Sequence, residues 1–191
     1  MEVPIVLAEA PVLPGQSYQE LATSRRLAQR RLAYPGMLAF NGPRRTIGID
    51  DVELHVARIQ FFWMFCLATF APKVLPFRML CGNFEIEPNG RITVAREHPQ
   101  RAQLESVVRH IERVFVTLYP EAADEFPLVF KRAFGPTSGL PSIMAKLNAR
   151  LKRTLGAGAT PYLIAGGRGA GGYRLTMLPS QITLVPHIPA A

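Results

Sequence analysis

Apolar residues that recur every three or four positions predict two long amphipathic helices. Over residues 99–118, the apolar positions fall on one helical face, while Glu105, Arg109 and other charged residues fill the opposite face. Over residues 142–155, four apolar residues at the same spacing alternate with basic ones. Pro141 is tolerated in the first turn of this second helix. Both segments therefore have one face suited to a core and one suited to solvent or a partner.

A third predicted helix is more apolar. It is capped by Asp50 or Asp51 and reaches about Phe70, and its second half has no polar face. That pattern is typical of a helix at the centre of a core, so the aromatic residues at 61–65 are interpreted as packing residues rather than as a platform for stacked bases. A shorter helix is predicted over residues 121–134.

Turn signals between apolar runs predict three β-hairpins. Asn41, Gly42 and Pro43 separate residues 37–40 from 46–49, and a similar Pro-Asn-Gly turn separates 84–87 from 91–94. The third hairpin joins residues 162–165 to 173–178 through a glycine-rich loop at 166–172, and an extended segment follows at 181–185. The alternation of hairpins and helices predicts the α+β class.

The length of 191 residues fits one domain with a short extension. Residues 1–35 are predicted as an N-terminal extension with a short strand at 3–8 and one helix at about 18–32, which begins after Ser17. Residues 36–191 are predicted as the main domain. The hydrophobic content of 48% is enough for a sizeable core and excludes a disordered chain.

Charge is distributed very unevenly. All 14 acidic residues lie at or before Glu125, where 14 basic residues balance them, whereas residues 126–191 hold eight basic residues and no acid. The formal net charge of +8 therefore comes entirely from the last third of the chain. A region of one sign attracts polyanions, so we expect nucleic acid as the partner, duplex DNA first and RNA second.

The order of a basic helix followed by a glycine-tipped hairpin predicts a winged helix-turn-helix-like domain, with the hairpin as its wing. Lys146, Arg150 and Arg153 form one stripe on the helix at about 142–155. Asn148 is a candidate for reading an adenine edge, and Arg168 at the tip of the wing (166–172) is a candidate for the minor groove or a phosphate. The predicted nucleic-acid-binding residues are Lys146, Asn148, Arg150, Lys152, Arg153, Arg168 and Arg174.

Catalytic and cofactor motifs are weak in this sequence. The four histidines do not share metal-ligand spacing with one another or with Cys66 and Cys81, so neither a metal nor another cofactor is expected. The glycine loop lies between strand-like runs and lacks the Walker Gly-Lys-Ser/Thr sequence. No segment predicts a signal peptide or a membrane span, which favours a cytoplasmic protein without a membrane partner. The sequence thus favours a binding protein over an enzyme.

Several segments resemble a CRISPR-associated family that joins an N-terminal CARF domain, a Rossmann-like sensor of cyclic oligoadenylate, to a winged-helix region. The resemblance lies in residues 146–156 (KLNARLKRTLG), 161–164 (PYLI) and 172–179 (GYRLTMLP), and in 60–68 (QFFWMFCLA) and 16–21 (QSYQEL). The Gly-Tyr-Arg-Leu hairpin also resembles the winged helices of response-regulator transcription factors. The CARF sensor has no counterpart before residue 16, so the resemblance implies nucleic-acid binding but not cyclic-nucleotide sensing. It further implies CRISPR complex subunits or a separate sensor protein as partners.

Two other functions are compatible with the sequence. The first is a CRISPR component that processes or holds RNA, acting as a metal-independent ribonuclease with His55 or His110 as general base. The second is a protein interaction module without nucleic acid, in which the apolar stretch at 59–70 meets a partner. An ordinary α+β domain with an exposed basic helix would show the same helix and hairpin signals.

Overall fold

The computed structural model describes residues 36–50, 52–167 and 169–186. The predicted N-terminal strand and helix, and Arg168, lie outside these residues. The chain is of the α+β class, as predicted. Its helices are α1 (Arg58–Phe70), α2 (Phe77–Leu80), α3 (Arg101–Leu118), α4 (Phe126–Phe134) and α5 (Leu140–Leu155). Its strands are β1 (Leu38–Asn41), β2 (Thr46–Ile49), β3 (Val52–His55), β4 (Phe84–Ile86), β5 (Ile92–Val94), β6 (Ile164–Gly167), β7 (Gly172–Leu175) and β8 (Ile182–Val185).

The first three strands form an antiparallel meander, and β8 joins the same sheet beside β1. The strand order is β3-β2-β1-β8, and β8 runs parallel to β1 with Leu38 opposite Ile182. The predicted hairpin around Asn41 is confirmed, with Leu38 and Phe40 buried on its inner face. Because alternate residues of a strand point to opposite faces, this register places the two apolar side chains of β1 in the core.

The prediction that a helix begins at Asp50 or Asp51 is wrong. Residues 52–55 form β3, which pairs with β2, and the helix starts only at Arg58. Asp50 lies instead in the tight turn between β2 and β3, with a φ of 51°. At the true start of α1, the Gln60 side chain accepts a hydrogen bond from the backbone N–H of Ala57 at 3.3 Å, so glutamine rather than aspartate stabilises this helix end.

Helix α1 is the centre of the core, as its sequence predicted. Every residue from Phe61 to Phe70 is buried, and the aromatic rings pack against neighbouring elements mostly in edge-to-face geometry. Phe62 contacts Phe115 of α3 at 5.1 Å between ring centroids, and Trp63 contacts Phe134 of α4 at 5.5 Å. All described elements contribute to one contiguous hydrophobic cluster around this helix.

Helices α3, α4 and α5 surround α1. Helix α3 buries one face, as predicted. The single helix predicted over 121–134 is divided in the structure into a 3-10 segment, Pro120–Glu125, and α4. Helices α4 and α5 are joined by the short connection 135–139. The added Cβ of any other residue at Gly135 would come within 2.5 Å of the Lys131 carbonyl oxygen, so this turn requires glycine.

The hairpin of β6 and β7 is attached to the residues that follow α1. Leu75 and Tyr173 exchange two backbone hydrogen bonds, of 2.8 and 3.2 Å, and Gly171 accepts a third, of 3.0 Å, from the N–H of Arg78. A Cβ at Gly172 would collide with the Leu75 carbonyl oxygen and approach Val74 Cγ1 to 2.7 Å. Part of the glycine-rich sequence is therefore explained by close backbone packing inside the protein.

Candidate nucleic-acid interface

Helix α5 has one face in the core and one in solvent. Its buried residues are Leu140, Met144, Leu147, Leu151 and Leu155, which hold it against the rest of the molecule. Its exposed residues include all four of its cations, Lys146, Arg150, Lys152 and Arg153. The structure therefore places the predicted basic residues of this helix on its accessible surface.

The outer face of α5 carries small side chains in its middle and basic side chains along its two edges. With 3.6 residues per turn, Lys146, Arg150 and Arg153 fall within a sector of about 60°, whereas Lys152 lies about a third of the circumference away. The exposed residues between these two edges are Ser142, Ala145 and Ala149. Such a profile lets a groove wall or a phosphate backbone come close to the helix axis while cations lie on either side.

No carboxylate among the described residues forms an ion pair with the cations of α5. The salt bridges within the described ranges join Arg58 to Glu125, and both Arg101 and Arg109 to Glu105, and all three lie outside the acid-free part of the chain. Exposed cations without an intramolecular partner keep their charge available for an external anion. The nucleic-acid prediction requires this property, and it also requires that Lys146, Arg150, Arg153 and Arg168 gather on one surface.

Asn148 has a different role from the predicted one. Its side-chain NH₂ donates to the carbonyl oxygen of Ile164 at 2.9 Å, and its side-chain oxygen accepts from the N–H of Ile164 at 2.8 Å. Both halves of the amide are thus used by the first residue of β6, and the side chain is half-buried. We therefore do not retain Asn148 as a reader of adenine, and assign it to fixing the hairpin relative to α5.

The β6–β7 hairpin offers one described cation. Arg174 is exposed on β7 between the buried residues Tyr173 and Leu175, while Arg168 lies outside the described residues. Gly167 and Gly171 have φ values of 151° and 78°, and added side chains there would meet open space. These two glycines permit the turn itself, whereas Gly172 serves the internal packing described above.

Further cations line a cavity beside the hairpin turn, and the sequence pattern does not predict them. Lys73, Arg109 and Arg113 line a cavity of about 680 Å³ together with Ala170 and Gly171 of the turn. None of the residues that line this cavity is acidic. These cations come from the α1–α2 connection and from α3, in a part of the sequence with zero net charge, so only the folded chain brings them beside the hairpin.

His110 is a core residue in this structure. It is 6% exposed, and its Nε2 lies 2.8 Å from the Thr69 hydroxyl oxygen, which itself donates to the Cys66 carbonyl at 2.7 Å. Since Thr69 has given its only proton to Cys66, His110 Nε2 carries a proton and donates. Burial, with a smaller effect of Arg113, lowers the pKa of His110 below its usual 6.5 and favours this neutral form.

The other histidine considered for ribonuclease chemistry, His55, is exposed on β3. Cys66 is fully buried, and burial raises the pKa of its thiol, so it is unreactive. Within the described ranges, no three His, Cys, Asp or Glu side chains come together as ligands for a metal ion. Among the same residues, no helix has both the length and the apolar character needed to cross a bilayer.

Comparison of this chain with protein-family models, with curated proteins and with solved structures finds no match.

Proposed function

We propose that this protein binds nucleic acid, with duplex DNA as the preferred form, through the outer face of α5 and the β6–β7 hairpin. One observation carries the proposal. Lys146, Arg150 and Arg153 share one exposed sector of α5, and no described carboxylate pairs with them. Their charge would be neutralised by phosphates, with release of the counterions that surround DNA.

The arrangement of α4, α5 and the hairpin supports a winged helix-turn-helix-like docking mode. Helices α4 and α5 are joined by a glycine-containing connection of five residues, which is close to the usual length for this motif. In this mode, the second helix of the pair enters the major groove and the hairpin reaches the neighbouring backbone or minor groove. The Asn148–Ile164 hydrogen bonds would hold the two contact elements in a fixed relation.

The chemistry of the outer face favours phosphate contacts over sequence reading. The cations lie at the edges of the helix face, where the two phosphate backbones border a major groove, and small side chains occupy its middle. With Asn148 engaged internally, direct base contacts fall to arginine or lysine on guanine edges. We therefore propose binding with strong dependence on salt and limited dependence on sequence.

A salt titration tests this proposal. We would measure the affinity for a labelled duplex of about 25 bp across roughly 50–300 mM salt, for the unmodified chain and for the triple variant Lys146→Gln, Arg150→Gln, Arg153→Gln. The slope of log affinity against log salt should fall by about 0.9 for each phosphate that the variant no longer neutralises. The matched control is the triple variant Arg44→Gln, Arg91→Gln, Arg96→Gln, which removes three exposed cations that lie outside the proposed interface and pair with no described carboxylate.

Two results would count against the proposal. Equal changes of slope in the two triple variants would show only a response to net charge. Tighter binding to RNA than to duplex DNA would contradict the preferred form, because single-stranded RNA has no groove and the narrow major groove of double-stranded RNA does not admit a helix. Association with a CRISPR complex or with a separate sensor is proposed from the sequence resemblance alone.

A further inference from the structure

A second cavity shares no lining residue with the one beside the hairpin turn. It has a volume of about 710 Å³, within the usual range of about 300–1,000 Å³ for small-molecule sites. Helices α1, α3, α4 and α5 all contribute to its lining, and the apolar part of the wall includes Phe115, Val129 and Ile143. An apolar body of small-molecule size would fit against these residues.

Two residues of this lining each carry a buried hydrogen-bond donor for which the described residues provide no acceptor. The indole Nε1 of Trp63 and the guanidinium Nη2 of Arg58 are buried atoms without a hydrogen-bond acceptor among the described residues, and both residues line the cavity. Trp63 itself is fully buried. An unsatisfied buried donor costs about 1–3 kcal/mol, so natural proteins rarely retain two of them in one place without an acceptor.

The charged groups that line the cavity favour a negatively charged ligand. Arg58 and Arg132 line it with a single carboxylate, that of Glu125, which lies 3.4 Å from Arg58 Nη1. The Arg58 guanidinium lies over the Tyr119 ring, at 4.5 Å from its centroid, which fixes the position of the charge. The Tyr119 hydroxyl donates to the Arg58 carbonyl oxygen at 3.1 Å, and it forms no hydrogen bond with either of the two buried donors.

We propose that this cavity binds a small apolar carboxylate, whose hydrocarbon body packs against Phe115, Val129 and Ile143. The carboxylate oxygens would accept hydrogen bonds from the donors of Trp63 and Arg58 that lack an acceptor in the described part of the chain. This site borders the proposed nucleic-acid interface at Ser142, but the proposal of a ligand here does not depend on nucleic-acid binding. The cavity wall nevertheless includes Gly139, Ser142 and Ile143 at the start of α5, so a bound ligand would contact the helix that carries the basic stripe.

Intrinsic fluorescence tests this inference directly, because Trp63 is the only tryptophan in the chain. The probes are 4-phenylbutyrate, cyclohexylacetate and octanoate, each compared with its neutral amide, on the full chain without nucleic acid. We expect a saturable change in Trp63 emission, with a dissociation constant of about 1 mM or lower for at least one carboxylate. That carboxylate should bind several-fold more tightly than its amide, and Arg58→Gln should remove most of this preference.

Filling the cavity provides the control. Val129→Phe should abolish the response, whereas Val116→Phe, the same change at an exposed position of α3 outside the cavity, should leave it intact. If Val129→Phe does not fold, as judged by its thermal unfolding, Ile143→Phe fills the same cavity from α5. The proposal is overturned if none of the six probes gives a saturable signal, if the amides bind as tightly as the acids, or if the filled variants still respond.

Discussion

Helices α3 and α5 are both amphipathic and both carry several cations, but their outer faces differ in one respect. Helix α3 holds three arginines and two glutamates, and Glu105 lies 2.7 Å from Arg101 and 3.9 Å from Arg109. Helix α5 holds four cations and no acid, and none of the four pairs with a described carboxylate. The comparison teaches that the pairing of charges, rather than their number, distinguishes a solvated helix face from a candidate binding face.

Helix α5 is tied to β6 by the two hydrogen bonds of Asn148, and removing them is the prediction with the largest expected effect. Asn148→Ala removes both hydrogen bonds to Ile164 and leaves a backbone N–H and C=O without partners, so we expect a loss of about 2–4 kcal/mol of stability. Chemical denaturation measures this loss. Gln103→Ala, which removes an exposed amide from α3, is the control and should cost less than about 0.5 kcal/mol. Similar losses in the two variants would contradict the role assigned to Asn148.

The β6–β7 hairpin contains a glycine, Gly172, whose lack of a side chain allows close packing against Leu75. Gly172→Ala places a methyl group against the Leu75 carbonyl oxygen, and we expect a loss of about 1–3 kcal/mol as the two segments separate. Gly169→Ala is the matched control, because an added Cβ there meets open space and its backbone φ lies outside the left-handed region. Thermal unfolding of the two variants measures the difference, and equal midpoints would exclude close packing as the reason for this glycine.

Local patterns predicted the elements of this fold better than they predicted the contacts between them. The spacing of Leu147 and Leu151 was enough to place the cations of α5 on its exposed face, because helical periodicity alone decides which side chains share a face. The sequence pattern predicts a helix over residues 52–55, because a short stretch before a long apolar run carries no local sign of its pairing with β2. The hydrogen bonds of Asn148 and the position of Lys73 beside the hairpin turn involve residues distant in sequence, which no local pattern contains.

A carboxylate added to α5 should make its outer face resemble that of α3. Ala149→Glu introduces an acid in the middle of the basic face, within reach of Arg153 at i+4, and it opposes phosphates directly. We expect duplex DNA affinity to fall about tenfold, or about 1.4 kcal/mol, at moderate salt. Ala102→Glu makes the same substitution at an exposed position of α3 and should reduce affinity far less. The comparison between the helices fails if the two variants lose affinity equally.

The smallest effect concerns the inner face of α3, where His110 donates to Thr69. Because the pKa of His110 is lowered in the folded protein, the unfolded chain binds this proton more readily, and stability should fall as the pH drops below about 6.5. The slope from this one group cannot exceed about 1.4 kcal/mol per pH unit. His110→Gln keeps a donor at this position but does not titrate, so its denaturation midpoints between pH 5 and 8 should show a weaker decline at the acid end. An identical pH profile in both proteins would show that His110 is not the group that weakens the fold in acid.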